Sequence, residues 1–360
     1  MHLALGLAAR GLESVSPNPM VGAVLVRGTR VLGKGYHRRY GGPHAEVEAL
    51  GGTKNPRGAD LYVTLEPCGH HGKTPPCAQA IVAAGVKRVF YAVRDPNPLT
   101  RGRGLKILRR GGVPAIGGLL QEEGAALNAP FFYWIRTGLP WILLKWAMTL
   151  DGKIATARGE SKWITGDAAR IHSQRFRRRV DAVLVGTGTL LADDPLLTPR
   201  PARGRHPMRI LLDRRGRLPL RLRLLSHRSV AGAGERVYVT SRQTSKRRLR
   251  HLESRGLRLL TVPANRQGFQ LEVLFRKLAD LGISQILVEG GAALAGSCLA
   301  GGFVQEIAAY VAPRVLGGEQ ARGAVGGTGL GLLETRWLEE PTVRRLGGDI
   351  LIQGRVRTSE

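Results

Sequence analysis

Short apolar runs alternate with helix-like segments along the first third of the chain. The runs 21–26 and 31–37 flank a polar turn, and this pattern predicts a β-hairpin. Further periodicity predicts strands at 60–65 and 86–93 and helices at 44–50, 77–84 and 121–136. Alternating strands and helices indicate an α/β domain, which residues 137–140, with a glycine and a proline, would link to the rest of the chain.

The strand pattern restarts at Trp141. Six short apolar runs separated by helical or loop segments predict buried parallel strands, at 141–148, 181–185, 209–212, 237–240, 256–262 and 285–288. Two of them end in glycine-rich turns, 186–189 and 289–291, and the second opens into a helix-like stretch, 292–300. Backbone N–H groups at such a helix start can bind phosphate. The Gly-x-Gly-x-x-Gly sequence is absent, so spacing alone leaves dinucleotide binding open.

Length and composition favour two domains. A chain of 360 residues exceeds the size that one core usually serves, and 43% hydrophobic residues can fill two cores. We expect the domains at 1–138 and 139–360. The sequence contains no run of 18 apolar residues, so it predicts no membrane span. The apolar start is interrupted by Arg10 and lacks a basic leader, so we expect a first helix rather than a signal peptide, and a cytoplasmic protein with reduced thiols.

Four residues between 44 and 77 predict a zinc deaminase centre. His44, Cys68 and Cys77 are a standard ligand set for catalytic zinc, which takes three protein ligands and keeps a fourth position for water. Glu46 has the spacing of the carboxylate that moves protons without ligating the metal. A disulfide across the loop is disfavoured, because the cysteine count is odd and a secretory signal is lacking.

A purely structural zinc site is the second alternative. It would require a fourth protein ligand, for which His70 or His71 could serve, but it would leave Glu46 unexplained. Cys298 stands apart in a stretch rich in alanine and glycine, where a small buried apolar residue is the better interpretation.

The cysteine spacing and the surrounding motifs indicate which deaminase this is. Eight residues separate the two cysteines, whereas many zinc deaminases have Cys-x-x-Cys. With the motifs at 16–22, 64–77 and 95–98, the first half resembles the deaminase half of the bifunctional riboflavin-biosynthesis deaminase/reductase family. The resemblance continues through 145–152, 159–165, 191–195 and 288–291. It implies an α/β protein with a cytidine-deaminase-like N-terminal domain and a dihydrofolate-reductase-like C-terminal domain.

For the first domain, the resemblance implies deamination of 2,5-diamino-6-(5-phosphoribosylamino)pyrimidin-4-one. Zn²⁺ would lower the pKa of its water, and Glu46 would take a proton from that water and return it to the departing amine. Glu48 stands where the family often has histidine, and we expect little effect from it. The positions that match substrate contacts are Asn18, His37, His70, Lys73, Asp95 and Asn97. A local alternative is that Asn18, Asp95 and Asn97 only fix their turns.

For the second domain, the resemblance implies that NADPH delivers hydride to the C1 carbon of the ring-opened ribosyl group. Lys145 is the candidate for stabilising negative charge on oxygen; its alternative is a solvent-exposed lysine at a strand end. The positions that match cofactor contacts are Ala147, Trp163, Thr189, Asp193, Thr240, Gly291, Ala292, Ala293, Leu294, Ala295, Gly296 and Ser297. Those that match substrate contacts are Ser161, Arg177, Leu197, Arg200 and Glu289. Asp193 and Asp194 could instead only shape the turn before Pro195.

The formal net charge of +28 raises the possibility of a nucleic-acid deaminase. Basic residues concentrate at 175–179 and 242–250, yet they are spread through both halves, aromatic residues are only 5%, and no nucleic-acid module is evident. We therefore expect a solvated basic surface and no specific nucleic acid. The resemblance implies phosphorylated pyrimidines as substrates, and we also expect a homo-oligomer. A nucleic-acid deaminase would lack the second domain, and a non-catalytic zinc scaffold would have no use for Glu46.

Overall fold

The structure is a computed structural model that describes residues 1–72, 75–201, 205–226 and 234–357. The chain divides into two compact units, Met1–Leu139 and Pro140–Glu360. Each unit has its own sheet and its own hydrophobic core. Among the residues that the structure describes, no helix has the length and apolar character needed to cross a membrane.

The first unit is a five-stranded sheet with helices packed against it. Its strand order is β2-β1-β3-β4-β5, with β1 antiparallel to both neighbours and the remaining pairs parallel. Its elements are α1 (His2–Ala8), β1 (Gly22–Arg27), β2 (Arg30–Tyr36), α2 (Ala45–Gly51), β3 (Asp60–Leu65), α3 (Cys77–Ala83), β4 (Arg88–Val93), α4 (Arg103–Arg110), β5 (Ala115–Gly117), α5 (Gln121–Leu127) and α6 (Ala129–Thr137).

Close packing of α2 on β2 fixes the start of α2 over the sheet. A Cβ at Gly33 would lie 2.0 Å from the Ala49 carbonyl oxygen, and one at Gly35 would lie 2.3 Å from the Ala45 carbonyl oxygen. Only glycine permits so close an approach of a helix backbone to a strand. This contact holds in place the helix start that carries two of the predicted site residues.

The predicted hairpin, strands and first helices of this unit are confirmed to within one or two residues. The prediction of a single helix at 121–136 is wrong, because α5 and α6 are separated at Asn128. The Asn128 side chain accepts a hydrogen bond from the Met20 N–H at 2.8 Å and donates to the Met20 carbonyl at 2.9 Å. Pro130 in the first turn of α6 is compatible with a new helix start and not with a continuous helix.

The second unit contains a nine-stranded mixed sheet of order β11-β10-β9-β8-β12-β6-β13-β16-β15. Neighbours from β11 to β13 are parallel, and β16 and β15 add an antiparallel end. The elements are β6 (Trp141–Thr149), β7 (Lys153–Ala155), α7 (Asp167–Arg179), β8 (Ala182–Gly186), α8 (Thr187–Asp193), β9 (Met208–Leu212), β10 (Arg236–Thr240), α9 (Lys246–Glu253), β11 (Arg258–Thr261), α10 (Leu271–Asp280), β12 (Gln285–Val288), α11 (Ala292–Ala300), β13 (Glu306–Ala312), β14 (Arg322–Gly323), β15 (Leu338–Leu346) and β16 (Asp349–Val356).

All six predicted strands of the second unit are present and parallel to their neighbours. The prediction that all are buried is wrong for β11, which is the edge strand and has no buried residue. The glycine-rich segment 186–189 is the end of β8 and the first turn of α8. Lys145 lies in the middle of β6 and is half-buried, so the alternative of a solvent-exposed strand-end lysine is also wrong.

Candidate functional site

Two helix starts and one loop bring the predicted metal ligands together in the first unit. His44 is the N-cap of α2, Cys77 is the first residue of α3, and Cys68 follows β3. One ligand atom from each residue lies within 4.8 Å of the others. The His44 Nδ1 atom lies 3.0 Å from the Cys77 sulfur and 3.5 Å from the Cys68 sulfur. Within the described chain, this is the group of residues suited to a metal ion.

The electrostatics of this group favour a thiolate at Cys68, while the hydrogen bond with Cys68 raises the pKa of Cys77. Hydrogen bonding with the Cys77 thiol, and to a lesser degree with His44, lowers the pKa of Cys68 well below its ordinary value, against the effect of burial. The Cys77 N–H, in the first turn of α3, also donates to the Cys68 sulfur at 3.3 Å. One imidazole and two thiol groups so arranged fit zinc, whose ligands must be deprotonated.

The alternatives to a catalytic zinc site find no support in this geometry. All three cysteines are free, so the loop carries no disulfide. Neither His70 nor His71 belongs to the cluster of potential metal ligands found among the described residues. Cys298 is fully buried in α11, as expected for a small apolar residue.

Glu46 lies beside the three ligand residues without joining them. It is in the first turn of α2, 3% exposed, and lines the same cavity as His44 and Cys68. Burial, assisted by the negative charge of Cys68, raises the pKa of Glu46 to about 7. A carboxyl group with such a pKa exchanges protons near neutral pH, which is the property required of a general acid and base.

The cavity around Glu46 has a volume of about 410 Å³ and lies within the first unit. The predicted substrate residues Asn18, His37, His70, Asp95 and Asn97 all line it. Lys73 lies outside the described residues. The sequence interpretation missed several further lining residues, which include Tyr40, Glu66, Thr100, Phe131, Trp134 and Ile135. The last three come from the region of α6, where sequence offers no signal beyond apolar character because their contact with the cavity depends on tertiary packing.

Several of these polar residues also hold local structure, as the alternative interpretation proposed. Asp95 accepts hydrogen bonds from the Thr100 hydroxyl at 2.6 Å and from the Asn97 N–H at 2.9 Å. His37 Nδ1 contacts the Pro43 carbonyl at 3.0 Å, and its Nε2 lies 3.2 Å from the Asn18 amide nitrogen. Burial lowers the pKa of His37, so the neutral ring donates to Pro43 and accepts from Asn18. These bonds orient the side chains and keep them at the cavity wall.

A cleft of about 1270 Å³ in the second unit gathers most of the residues predicted for the reductase. Those lining it are Lys145, Ala147, Ser161, Trp163, Arg177, Thr189, Asp193, Leu197, Arg200, Glu289 and the four residues Gly291, Ala292, Ala293 and Leu294. Arg200 is exposed, whereas Leu197 is only 2% exposed because its side chain packs in the core. Leu197 can therefore present little more than its backbone to a ligand.

Four predicted cofactor residues do not line this cleft. Thr240 is fully buried, and its hydroxyl donates to the Asp213 carbonyl at 3.0 Å. Ala295 and Gly296 are buried in α11, and a Cβ at Gly296 would lie 1.8 Å from the Gly326 carbonyl oxygen.

The Ser297 hydroxyl, also outside the cleft, donates to the Ala293 carbonyl within the helix at 2.9 Å. The resemblance matched all residues from Gly291 to Ser297 to the cofactor. Only those from Gly291 to Leu294 line the cleft, because α11 carries the later residues away from it.

A buried ion pair lies in the cleft beside Lys145. Arg177 donates to both carboxylate oxygens of Glu289, at 3.1 and 2.5 Å, and to the Thr198 carbonyl at 3.0 Å. Burial alone would raise the pKa of Glu289, but Arg177 and Lys145 outweigh it and lower the pKa to about 2. Burial lowers the pKa of Lys145, whose Nζ lies 5.7 Å from the centre of the Tyr310 ring. The negative charge of Glu289 therefore interacts favourably with the positive charges of both Arg177 and Lys145.

Other cleft residues have partners that sequence did not predict. Asp193 forms an ion pair with Lys162 at 3.5 Å and contacts the Ser161 hydroxyl at 3.4 Å. Trp163 is 60% exposed, and the Arg170 guanidinium lies 4.3 Å from its ring centre. Trp146, Gln174 and Arg223 also line the cleft and were missed, because nothing in the local sequence distinguishes them from structural residues.

Comparison with known proteins identifies both units of the chain. A family model described as the RibD C-terminal domain matches residues 140–352, and one described as the cytidine and deoxycytidylate deaminase zinc-binding region matches residues 1–93. The riboflavin biosynthesis protein RibD of Actinobacillus pleuropneumoniae is 40% identical, over 98% of this chain and 93% of its own length. RibD of Escherichia coli (strain K12) is also 40% identical, over 98% and 97%.

Solved structures are similar to this chain in fold as well as in sequence. Acinetobacter baumannii RibD (form 1) has a TM-score of 0.88 and 37% identity, covering 99% of this chain and 98% of its own. A diaminohydroxyphosphoribosylaminopyrimidine deaminase/5-amino-6-(5-phosphoribosylamino)uracil reductase from Thermotoga maritima has a TM-score of 0.83 and 34% identity, covering 99% and 97%. Relatives this similar span both the zinc-ligand unit and the unit with the large cleft, and the chain therefore belongs to the RibD family of riboflavin biosynthesis proteins.

Proposed function

We propose that the chain catalyses two reactions of riboflavin biosynthesis. The first unit deaminates 2,5-diamino-6-(5-phosphoribosylamino)pyrimidin-4-one by hydrolysis. The second unit uses NADPH to reduce the ribosyl group of 5-amino-6-(5-phosphoribosylamino)uracil to ribityl. The observation that carries the proposal is the cluster of His44, Cys68 and Cys77 with buried Glu46 beside it, in a chain that is a RibD family member across both units.

In the deaminase, His44, Cys68 and Cys77 would hold the zinc ion. When bound, zinc would supply Lewis-acid activation of the water that attacks the substrate. Glu46, which faces the same cavity and is not a ligand, accepts a proton from the attacking water and returns it to the departing amine. Asn18 and His37 bind the substrate at the cavity wall, held by the hydrogen bonds that also fix their orientation.

Loop residues complete the deaminase site. Asp95 and Asn97 sit on one turn fixed by three hydrogen bonds, so both side chains are presented to the substrate with little loss of conformational freedom on binding. We assign His70 and Lys73 to the phosphoribosyl part of the substrate. Cationic or hydrogen-bonding side chains are the groups that a phosphate requires.

In the reductase, the cleft residues from Gly291 to Leu294 include the start of α11, whose free backbone N–H groups suit a phosphate of NADPH. When bound, NADPH supplies the hydride. Lys145 donates to the ribose ring oxygen, on which negative charge develops as its bond to C1 breaks and the hydride forms the new C1–H bond. The Glu289 carboxylate neutralises part of the positive charge of Arg177 and Lys145. Substrate contacts fall to Ser161, Arg177 and Arg200, with Leu197 contributing through its backbone.

We further infer a homo-oligomer in the cytoplasm, where thiol ligands stay reduced. β15 is the edge strand of the large sheet and is exposed over most of its length. Exposed apolar side chains lie on and near it, namely Leu332, Leu333, Trp337 and Val343. An exposed edge strand with such neighbours favours pairing with a second chain.

A coupled assay with synthesised diaminopyrimidine substrate tests the proposal. Purified protein should contain about one zinc ion per chain, release ammonia, and then oxidise NADPH, with NADH as the comparison cofactor. Deamination of RNA, together with salt-sensitive binding of that RNA, would instead support a nucleic-acid deaminase. For the phosphorylated substrate we expect only a modest rise of KM with salt, because few phosphate contacts are made per molecule.

A further inference from the structure

One face of α7 forms a wall of the reductase cleft. Arg170, Gln174 and Arg177 follow a helical spacing of four and three residues, and all three line the cleft. Ala169 and Phe176 point into the hydrophobic core instead. The helix therefore presents a fixed polar row to any ligand that enters.

The two ends of this row are already engaged by other side chains. Arg170 stacks on Trp163, with its guanidinium 4.3 Å from the ring centre. Arg177 forms the bidentate pair with Glu289. These contacts hold both arginines in place, and neither contact involves the middle member of the row.

Gln174 is that middle member. Its Oε1 atom is buried and has no hydrogen-bond partner among the residues that the structure describes. A buried acceptor without a donor is unfavourable for folding, and a residue that lines a cleft can recover the loss when a ligand donates to it. This atom therefore gains a hydrogen bond when a bound molecule presents an N–H or O–H group there.

We propose that Gln174 binds the substrate of the reductase and accepts a hydrogen bond from a ring N–H of its pyrimidinedione. The inference rests on the proposed reductase function. Gln174 is one helical turn from Arg177, which contacts Glu289 near Lys145, the residue assigned to the reacting end of the substrate. A carboxamide offers an acceptor and a donor side by side, as does the edge of a pyrimidinedione, so the two groups are complementary.

Replacement by methionine removes the acceptor while keeping the length of the side chain. In Gln174→Met, KM for 5-amino-6-(5-phosphoribosylamino)uracil should rise about five- to thirty-fold, as expected for one lost hydrogen bond to a buried group. The dissociation constant of NADPH, measured by fluorescence titration, should stay within about two-fold. The melting temperature should not fall, because an unsatisfied polar atom leaves the interior.

Two further variants separate the proposed role from a general effect of the substitution. Gln174→Glu keeps an acceptor and should have a lower KM than Gln174→Met. Gln270→Met makes the same change at an exposed position outside the cleft and should leave KM unchanged.

Two results would overturn the inference while the wild type is active. One is an unchanged KM in Gln174→Met, and the other is weaker NADPH binding with an unchanged KM, which would assign Gln174 to the cofactor. A wild-type protein that fails to reduce the uracil compound at all would refute the proposed function itself, and with it this inference.

Discussion

The ion pair between Arg177 and Glu289 should be a large stabilising interaction of the second unit. Glu289 is 11% exposed, and its pKa is lowered from an ordinary 4.5 to about 2. At about 1.4 kcal/mol per pKa unit, this difference corresponds to about 3 kcal/mol of folding free energy. Glu289→Gln removes the charge and keeps the shape, so the variant should lose about this amount at neutral pH.

The lowered pKa of Glu289 determines how its stabilising effect depends on pH. A carboxyl group whose pKa is lowered on folding stabilises the protein fully above its ordinary pKa, and this stabilisation is lost as pH falls through the folded-state value. The difference between wild type and Glu289→Gln should therefore be constant above about pH 4.5 and shrink toward zero near pH 2.

Urea unfolding followed by tryptophan fluorescence measures this difference. Four of the five tryptophans lie in the second unit, so the signal mainly reports the unfolding of that unit. Glu272→Gln is the matched control, because Glu272 pairs with Arg276 on the surface with both side chains more than half exposed. The control should cost less than about 0.5 kcal/mol. A loss below about 1 kcal/mol in Glu289→Gln, or a loss that does not change down to pH 2, would refute the reasoning.

Three further predictions concern the two sites and the second core. Glu46→Gln should retain zinc, as measured by metal analysis, while its rate of ammonia release falls by orders of magnitude. Cys68→Ser should lose zinc. A zinc-free Glu46→Gln protein would contradict the assignment of Glu46 as a residue that does not ligate the metal. Lys145→Ala should stop NADPH oxidation and leave zinc content and ammonia release unchanged, and lost ammonia release in a folded, zinc-loaded variant would disprove the independence of the sites. Arg236→Met should lower the free energy of unfolding in urea by about 2 kcal/mol, because the Arg236 side chain makes three hydrogen bonds and the residue is only 6% exposed. An effect as small as that of Arg250→Met, at an exposed position, would exclude a stabilising role for Arg236.

Burial shaped the sequence of most of the strands that were predicted, although the equally buried strand β13 was not predicted. β3, β4, β8 and β12 are mostly apolar and were found with nearly correct ends. β15 carries mostly exposed side chains and gives no such pattern, so no strand was predicted there. The break between α5 and α6 depends on hydrogen bonds between Asn128 and a residue more than a hundred positions away, which periodicity cannot reveal.

The two sites differ in how far sequence could predict them. The zinc ligands and Glu46 sit at helix starts and beside them, in a segment of 34 residues, so a local motif records the arrangement. The reductase cleft is assembled from elements distant in sequence. Its motif residues were found by resemblance, but the pairing of Arg177 with Glu289, 112 positions apart, and the exclusion of Thr240 from the cleft follow only from the packed structure.

The large positive charge also has a structural use that composition could not indicate. The Arg236 side chain donates to the carbonyls of Leu224 and Ser226, and Arg255 donates to those of Leu220 and Leu225. These acceptors belong to a segment without regular secondary structure, so the guanidinium groups satisfy carbonyls that no strand or helix would pair. Several arginines of the second unit thus contribute to its stability from within. A nucleic-acid partner is not required to explain the presence of these arginines, because carbonyl groups in a buried loop need hydrogen-bond donors even when no nucleic acid binds.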